Sequence, residues 1–151
     1  MLQSVNVNGI NYTFDVIHDL TEPCPHCGVP ACGKENYFWY EESGRRKTLI
    51  LDGEILDLII QQFFTTKMEK VEYAKLPGFL RESNECTGWS EARDFSGTAI
   101  DIDDLLLALE AIELTDLEDW MRADGDAYIT ALNSIATTAK KKQLTLSIAR
   151  S

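Results

Sequence analysis

Three cysteines lie within nine residues of this chain, and no other residues limit its chemistry so tightly. Cys24 and Cys27 are separated by two residues, and Cys32 follows after four more. A C-x2-C turn directs two thiolates at one point, as one half of a tetrahedral zinc site requires. Gly28 lets the backbone curl so that amide groups reach the sulfur atoms. Because clustered cysteines in a reducing compartment favour a metal over a disulfide, we predict a bound zinc ion.

The run Cys24-Pro25-His26-Cys27-Gly28 resembles the metal knuckle of zinc-ribbon and rubredoxin-like domains. The resemblance covers five residues, and the second C-x2-C pair that these families carry downstream is missing here. It therefore implies a metal knuckle at Cys24 and Cys27 and nothing further.

Two residues compete for the fourth position of the zinc site. His18 lies six residues before Cys24 and would close the site locally. Cys86 would close it from a distant loop and would tie the middle of the chain to its N-terminal part. We favour Cys86, because four thiolates form a common structural zinc site, and keep His18 as the alternative. Thiolate ligands lower the Lewis acidity that hydrolysis needs, so a structural zinc is favoured over a catalytic one.

Signatures of catalysis are missing from the sequence. The chain has no P-loop, GxGxxG, HExxH or GxSxG motif. The run Pro23-Cys24-Pro25-His26-Cys27 matches the second half of the cytidine-deaminase signature, but the His-x-Glu half is absent. We therefore predict no enzymatic activity. A zinc-dependent hydrolase, with Glu22 as its base, is kept as an alternative.

The net charge is −11, and most of the acid lies in one part of the chain. Residues 91–126 hold 12 acidic residues against only Arg93 and Arg122, whereas residues 127–151 carry four bases and no acid. A negative field repels phosphate, so direct nucleic-acid or anionic-membrane binding is disfavoured and a basic protein partner is favoured. The composition is that of a globular protein, with no leader-like start and no apolar run that spans a bilayer, so we expect a cytoplasmic location.

The first third of the chain is predicted to be rich in strands. Asn8-Gly9 is typical of a type I′ hairpin turn, and Ser43-Gly44 joins a second pair of apolar runs. The apolar spacing after Asp52 predicts a helix that ends near Thr66. The four predicted strands are residues 5–7, 10–16, 37–40 and 47–51.

The middle of the chain is predicted to be mostly loop. Residues 67–99 contain Pro77-Gly78, Gly88 and Ser96-Gly97, and they leave room for one short strand near residues 71–73.

The last third is predicted to be helical. Asp101 is a suitable N-cap for a first helix, and residues 115–118 fit a capping box that opens a short second helix. Residues 124–126 predict a break before a third helix, whose C-terminal end carries residues 140–142, all lysines. Residues 144–148 alternate in polarity and predict a final strand that pairs with an edge of the N-terminal sheet.

The acidic helices carry a candidate partner-binding surface. At about 100° per residue, Leu107 and Leu114 lie beside Asp103 and Glu110, on the side opposite the main apolar face. An apolar stripe flanked by acids suits a partner with basic residues around an apolar groove. The alternative is that the next helix covers both leucines. The predicted acidic surface comprises Asp101, Asp103, Asp104, Leu107, Glu110, Glu113, Asp116, Glu118, Asp119 and Trp120.

These features together predict an α+β fold: a small antiparallel sheet with a zinc-knuckle loop, then a helical C-terminal half and a terminal strand. We expect one domain over residues 1–151, with a strand-rich, metal-stapled part and one helix (1–66), a loop-rich middle (67–99) and acidic helices with the last strand (100–151).

Size and charge predict a non-enzymatic inhibitor that blocks a basic protein, such as a nuclease or another nucleic-acid-handling protein. Bacterial immunity proteins and phage anti-defence proteins have comparable size and charge, which is an analogy of composition only. A zinc-stabilised adaptor subunit of a larger complex is the second hypothesis, and the zinc-dependent hydrolase is the third. The sequence does not fix the oligomeric state.

Overall fold

A computed structural model describes residues 2–7, 10–15, 35–93 and 96–150. At the N-terminus, β1 (Leu2–Val7) and β2 (Ile10–Asp15) form a separate two-stranded antiparallel hairpin. Val7 pairs with Ile10, so the connection has two residues. The predicted first hairpin is therefore confirmed.

A four-stranded antiparallel sheet forms the centre of the fold. Its strands are β3 (Glu35–Glu42), β4 (Arg45–Asp52), β5 (Thr98–Ile100) and β6 (Leu146–Arg150), and they lie in the order β4-β3-β6-β5. Its hairpin turns at Ser43 and Gly44, whose φ values of 53° and 74° are those of the positive-φ turn that suits a two-residue connection. The predicted C-terminal strand is confirmed, and it lies between β3 and β5.

Helices pack on the apolar residues of this sheet, so the architecture is α+β. The helices are α1 (Gly53–Lys67), α2 (Gly78–Glu85), α3 (Ile102–Ala111) and α4 (Asp119–Lys141). The core joins Phe38, Leu49 and Ile148 of the sheet to Leu105 and Leu132 of the helices, and none of these side chains has any exposed surface. No helix in the described part of the chain is long and apolar enough to cross a bilayer.

The middle of the chain is more helical than predicted. The strand predicted near residues 71–73 is wrong, because a turn there leads into a 3-10 turn at Tyr73–Lys75. Helix α2 follows directly, although Pro77-Gly78 predicts loop. The first backbone N–H groups of α2 donate hydrogen bonds to the carboxylate of Asp104, which lies in α3 and is distant in sequence.

The predicted boundaries of the last helices are also wrong. A 3-10 turn at Leu114–Asp116 replaces the capping-box helix, and α4 then runs without a break through Gly125. A Cβ atom at Gly125 would lie 2.7 Å from Leu117 Cδ1 and 3.7 Å from Ile59 Cδ1. The glycine therefore lets α4 approach these side chains closely, and it does not mark a turn.

Candidate protein-binding surface

The carboxylates of the predicted acidic surface lie along the outside of α3 and at the start of α4. The core-facing residues of α3 are Leu105, Ala108 and Leu109, which are buried. The side chains of Asp116 and Trp120 lie outside the described part of the structure. The exposed members of the surface are Asp101, Asp103, Leu107, Glu110, Glu113, Glu118 and Asp119.

Leu107 is the most exposed large apolar side chain among the described residues, with 57% of its surface accessible. Asp103 and Glu110 stand four residues before it and three after it, so all three share one helix face. Leu114 is partly buried against the core. Coverage by neighbouring structure thus applies to Leu114 and not to Leu107, which faces solvent between two acids.

Some of these acids already have basic partners within the protein. Asp103 pairs with Lys140 of α4 at 2.5 Å, and Glu113 pairs with Lys67 of α1 at 3.1 Å. Glu110 forms no ion pair with any residue that the structure describes. Because exposed ion pairs contribute only about 0–1 kcal/mol, these lysines are replaceable by cations from outside.

Asp104 has a different role from its neighbours on α3. Its two carboxylate oxygens accept hydrogen bonds from the backbone N–H groups of Gly78 (2.8 Å) and Phe79 (2.6 Å), and its own N–H donates to Asp101 at 3.1 Å. A carboxylate at a helix N-terminus satisfies free amides and complements the helix dipole. Asp104 therefore joins α3 to α2, a role that sequence spacing gave no means of finding.

Glu82 of α2 lies close to this junction. A Cβ atom at Gly88 would come within 2.4 Å of the Glu82 carboxyl group, so that group packs directly against the Gly88 backbone. Burial raises the pKa of Glu82, and the nearby charge of Asp104 raises it further. The Trp89 backbone N–H and the charge of Arg81 act in the opposite direction. The region beside the acidic surface thus contains two carboxylates that repel each other.

The residues of the predicted zinc site are described only in part. Cys24, Cys27, Cys32 and His18 lie outside the described residues. Cys86 is an exposed free thiol at the C-cap of α2, in the left-handed conformation with a φ of 56°. Within the described ranges, no three His, Cys, Asp or Glu side chains are grouped to hold a metal ion.

Comparison with known proteins gives no relative: no family model matches the chain, and neither curated proteins nor solved structures provide a significant match. The function has to be inferred from the surface itself. The acidic surface presents an apolar side chain between carboxylates. The carboxylates can attract a cationic surface, and the apolar side chain is removed from water on contact.

Proposed function

We propose that this protein is a non-enzymatic inhibitor that binds a basic protein through the acidic surface. The observation that carries the proposal is the exposure of Leu107 between Asp103 and Glu110 on one face of α3. A row of carboxylates along a helix competes with a phosphate backbone for the same lysines and arginines. Binding there would block a nucleic-acid-handling partner by occupying its phosphate-binding residues.

Leu107 supplies part of the binding free energy. Burying a whole leucine side chain is worth about 1.5–3 kcal/mol, so covering its exposed 57% contributes about 1–2 kcal/mol. A micromolar complex needs about 8 kcal/mol. Leu107 is therefore an anchor within a larger contact, and the surrounding acids must add favourable pairs with the partner.

The acids also determine how fast the partner is found. Residues 91–126 contain 12 acidic residues and only two basic ones, which gives this part of the protein a strong negative field. Complementary fields raise association rate constants above the 10⁵–10⁶ M⁻¹s⁻¹ typical of neutral surfaces, by an amount that salt reduces. A basic residue of the partner can replace Lys140 as the ion-pair partner of Asp103 at little cost in free energy, because the internal pair is exposed.

Site-specific crosslinking tests the location of the interface. A photo-crosslinking amino acid is placed at position 107, or at the exposed position of Lys47 on the edge strand β4 as a control, in the cells that produce the protein. We expect one protein with a basic surface to be captured from position 107 and not from position 47. Equal capture from both positions would contradict the proposal.

Activity of the captured partner separates inhibition from the alternative functions. Wild-type protein should suppress the partner's nucleic-acid binding or cleavage, and Leu107→Ser with Glu110→Gln should restore it. Glu41→Gln is the matched control, because Glu41 is an exposed, ion-paired acid on β3. Capture of a multi-subunit assembly with no loss of its activity would support the adaptor hypothesis instead.

A structural zinc ion is a second part of the proposal, with Cys24, Cys27 and Cys32 as ligands. The observation that supports Cys86 as the fourth ligand is that its thiol is exposed and free. Metal analysis of purified wild type, Cys86→Ser and His18→Ala would identify the ligand. Zinc retained in His18→Ala and lost in Cys86→Ser selects Cys86, the reverse selects His18, and a zinc-free wild type contradicts the site.

A further inference from the structure

A cleft of about 700 Å³ lies away from the acidic surface, between α1, the end of α2, the 3-10 turn Gly88–Glu91 and the end of β6. This volume is in the range of small-molecule sites. Phe64 of α1, which is partly exposed, forms its apolar wall together with Ile60, which is only 2% exposed. Gln61 and Asn84 add amide groups that can donate and accept hydrogen bonds.

Arg150, which is only 6% exposed, connects the elements that form the floor of the cleft. Its Nη2 donates to both carboxylate oxygens of Asp57 (2.6 and 2.7 Å), its Nε to Asn36 (2.8 Å) and its Nη1 to the Ser90 carbonyl (3.1 Å). The guanidinium also lies over the Trp89 ring, 5.1 Å from its centroid. Three separate elements are thereby fixed around one group, so the site needs little rearrangement on binding.

The charges of the cleft balance, in a protein whose net charge is −11. Asp57 and Arg150 neutralise each other at the floor, and Glu91 and Arg93 are exposed at the rim. The Arg93 Nη1 donates to the carbonyls of Ser90 and Ala92, while its Nε and Nη2 donate to none of the described residues. Among the described residues, the rim therefore offers the guanidinium of Arg93 and the carboxylate of Glu91 beside an apolar wall.

We propose that this cleft binds a small zwitterionic ligand with an apolar body, of the class of amino acids and short peptides. Arg93 receives the ligand carboxylate, Glu91 receives its ammonium group, and Phe64 contacts the apolar side chain. A polyanion is repelled by the acidic protein as a whole, whereas a zwitterion carries no net charge and is not. The cleft shares no lining residue with the acidic surface, so binding there is independent of the proposed inhibition.

Titration of the full-length, isotope-labelled protein by NMR tests the proposal, with the dipeptide Gly-Phe as probe. The matched control ligand is the same dipeptide with an acetylated N-terminus and an amidated C-terminus, which has neither charge. We expect Gly-Phe to shift the amide signals of Gln61, Asn84 and Arg93, and the blocked dipeptide to bind at least tenfold more weakly.

Two variants complete the test. Arg93→Gln should weaken Gly-Phe binding roughly tenfold or more, because a charge-assisted bond to the carboxylate is lost. Arg122→Gln, which removes an exposed arginine paired with Asp119 on α4, should leave binding unchanged. The hydrogen bonds that Arg93 forms with described residues all go to nearby carbonyls, and an unchanged melting temperature will verify that its variant folds. Equal binding of both dipeptides, equal affinity of Arg93→Gln, or shifts confined to other surfaces would overturn the proposal.

Discussion

Replacing Arg150 by methionine removes the cation that joins α1, β3 and the 3-10 turn Gly88–Glu91 to the last strand. The side chain is 6% exposed, and its partner Asp57 has 35% of its side chain exposed. Methionine keeps much of the side-chain length and the apolar contact with Trp89, so the substitution isolates the loss of the charge and its hydrogen bonds.

The expected loss of stability follows from what Arg150 leaves behind. Breaking a buried ion pair costs about 3–5 kcal/mol, and Asp57 belongs at the lower end because water still reaches it. The amide oxygen of Asn36, a fully buried residue, also loses its donor, which costs about 1–2 kcal/mol. Together these give a decrease in unfolding free energy of about 4–5 kcal/mol, or a decrease in melting temperature of about 8–20 °C.

Urea unfolding followed by circular dichroism measures this change. Arg122→Met is the control, because it removes an exposed arginine with an (i, i+3) partner, and it should change stability by less than about 1 kcal/mol. The double variant Asp57→Asn with Arg150→Met should be more stable than Arg150→Met alone, since no unpaired carboxylate remains. An Arg150→Met protein as stable as the control would refute the reasoning.

Three further predictions concern the packing around α2 and α4. Asp104→Ala should lower the unfolding free energy, measured in urea, by about 1–2 kcal/mol, because the first amides of α2 lose their acceptors. Asp104→Asn should lower the unfolding free energy by less, and an equal decrease for the two variants would argue against a charge effect. Gly125→Val should destabilise by about 1–3 kcal/mol in the same assay, because its side chain would overlap Leu117, and an unchanged or higher stability would show that α4 is not closely packed there. The pKa of Glu82 is raised in the folded protein, which means that the folded state disfavours the charged carboxylate. The protonated side chain therefore makes its full contribution to the free energy of unfolding below the pKa of an unfolded glutamate, about 4.3. This contribution is lost as the pH rises through the higher pKa of Glu82 in the folded protein. Melting temperatures across pH should therefore fall less steeply through that window for Glu82→Gln than for wild type, and parallel curves would contradict the assigned shift.

Local signals predicted the two hairpins, the last strand and the helices α1 and α3, because these elements depend on neighbouring residues, whereas β5 and α2 lie in the stretch predicted as loop. A two-residue connection fixes the register of each hairpin, as the pairs Val7 with Ile10 and Glu42 with Arg45 show. Asp101 caps α3 through its own side chain, which accepts from the Asp104 N–H three residues later. These contacts lie within a few residues of each other and can be inferred from spacing.

The errors arose where a distant residue decides the local structure. Helix α2 begins where its amides meet Asp104, and Gly125 allows α4 to continue because Leu117 occupies the space of a side chain. The same limit applies to the binding surface: helical spacing placed Leu107 beside its acids, but its exposure depends on how α3 packs in three dimensions. The hydrogen bonds of Arg150 join residues 36, 57 and 150, which are far apart in sequence, so no local pattern predicts them.

The most direct test of the proposed inhibition is the association rate constant between the protein and the partner captured at position 107. Stopped-flow measurements at about 0.1 M and 1 M salt change the Debye length from about 10 Å to about 3 Å. We predict that the wild-type rate constant falls at least tenfold across this range, and that Asp103→Asn with Glu110→Gln is slower at low salt and less dependent on salt. Equal rate constants and equal salt dependence for the two proteins would contradict binding through the acidic surface.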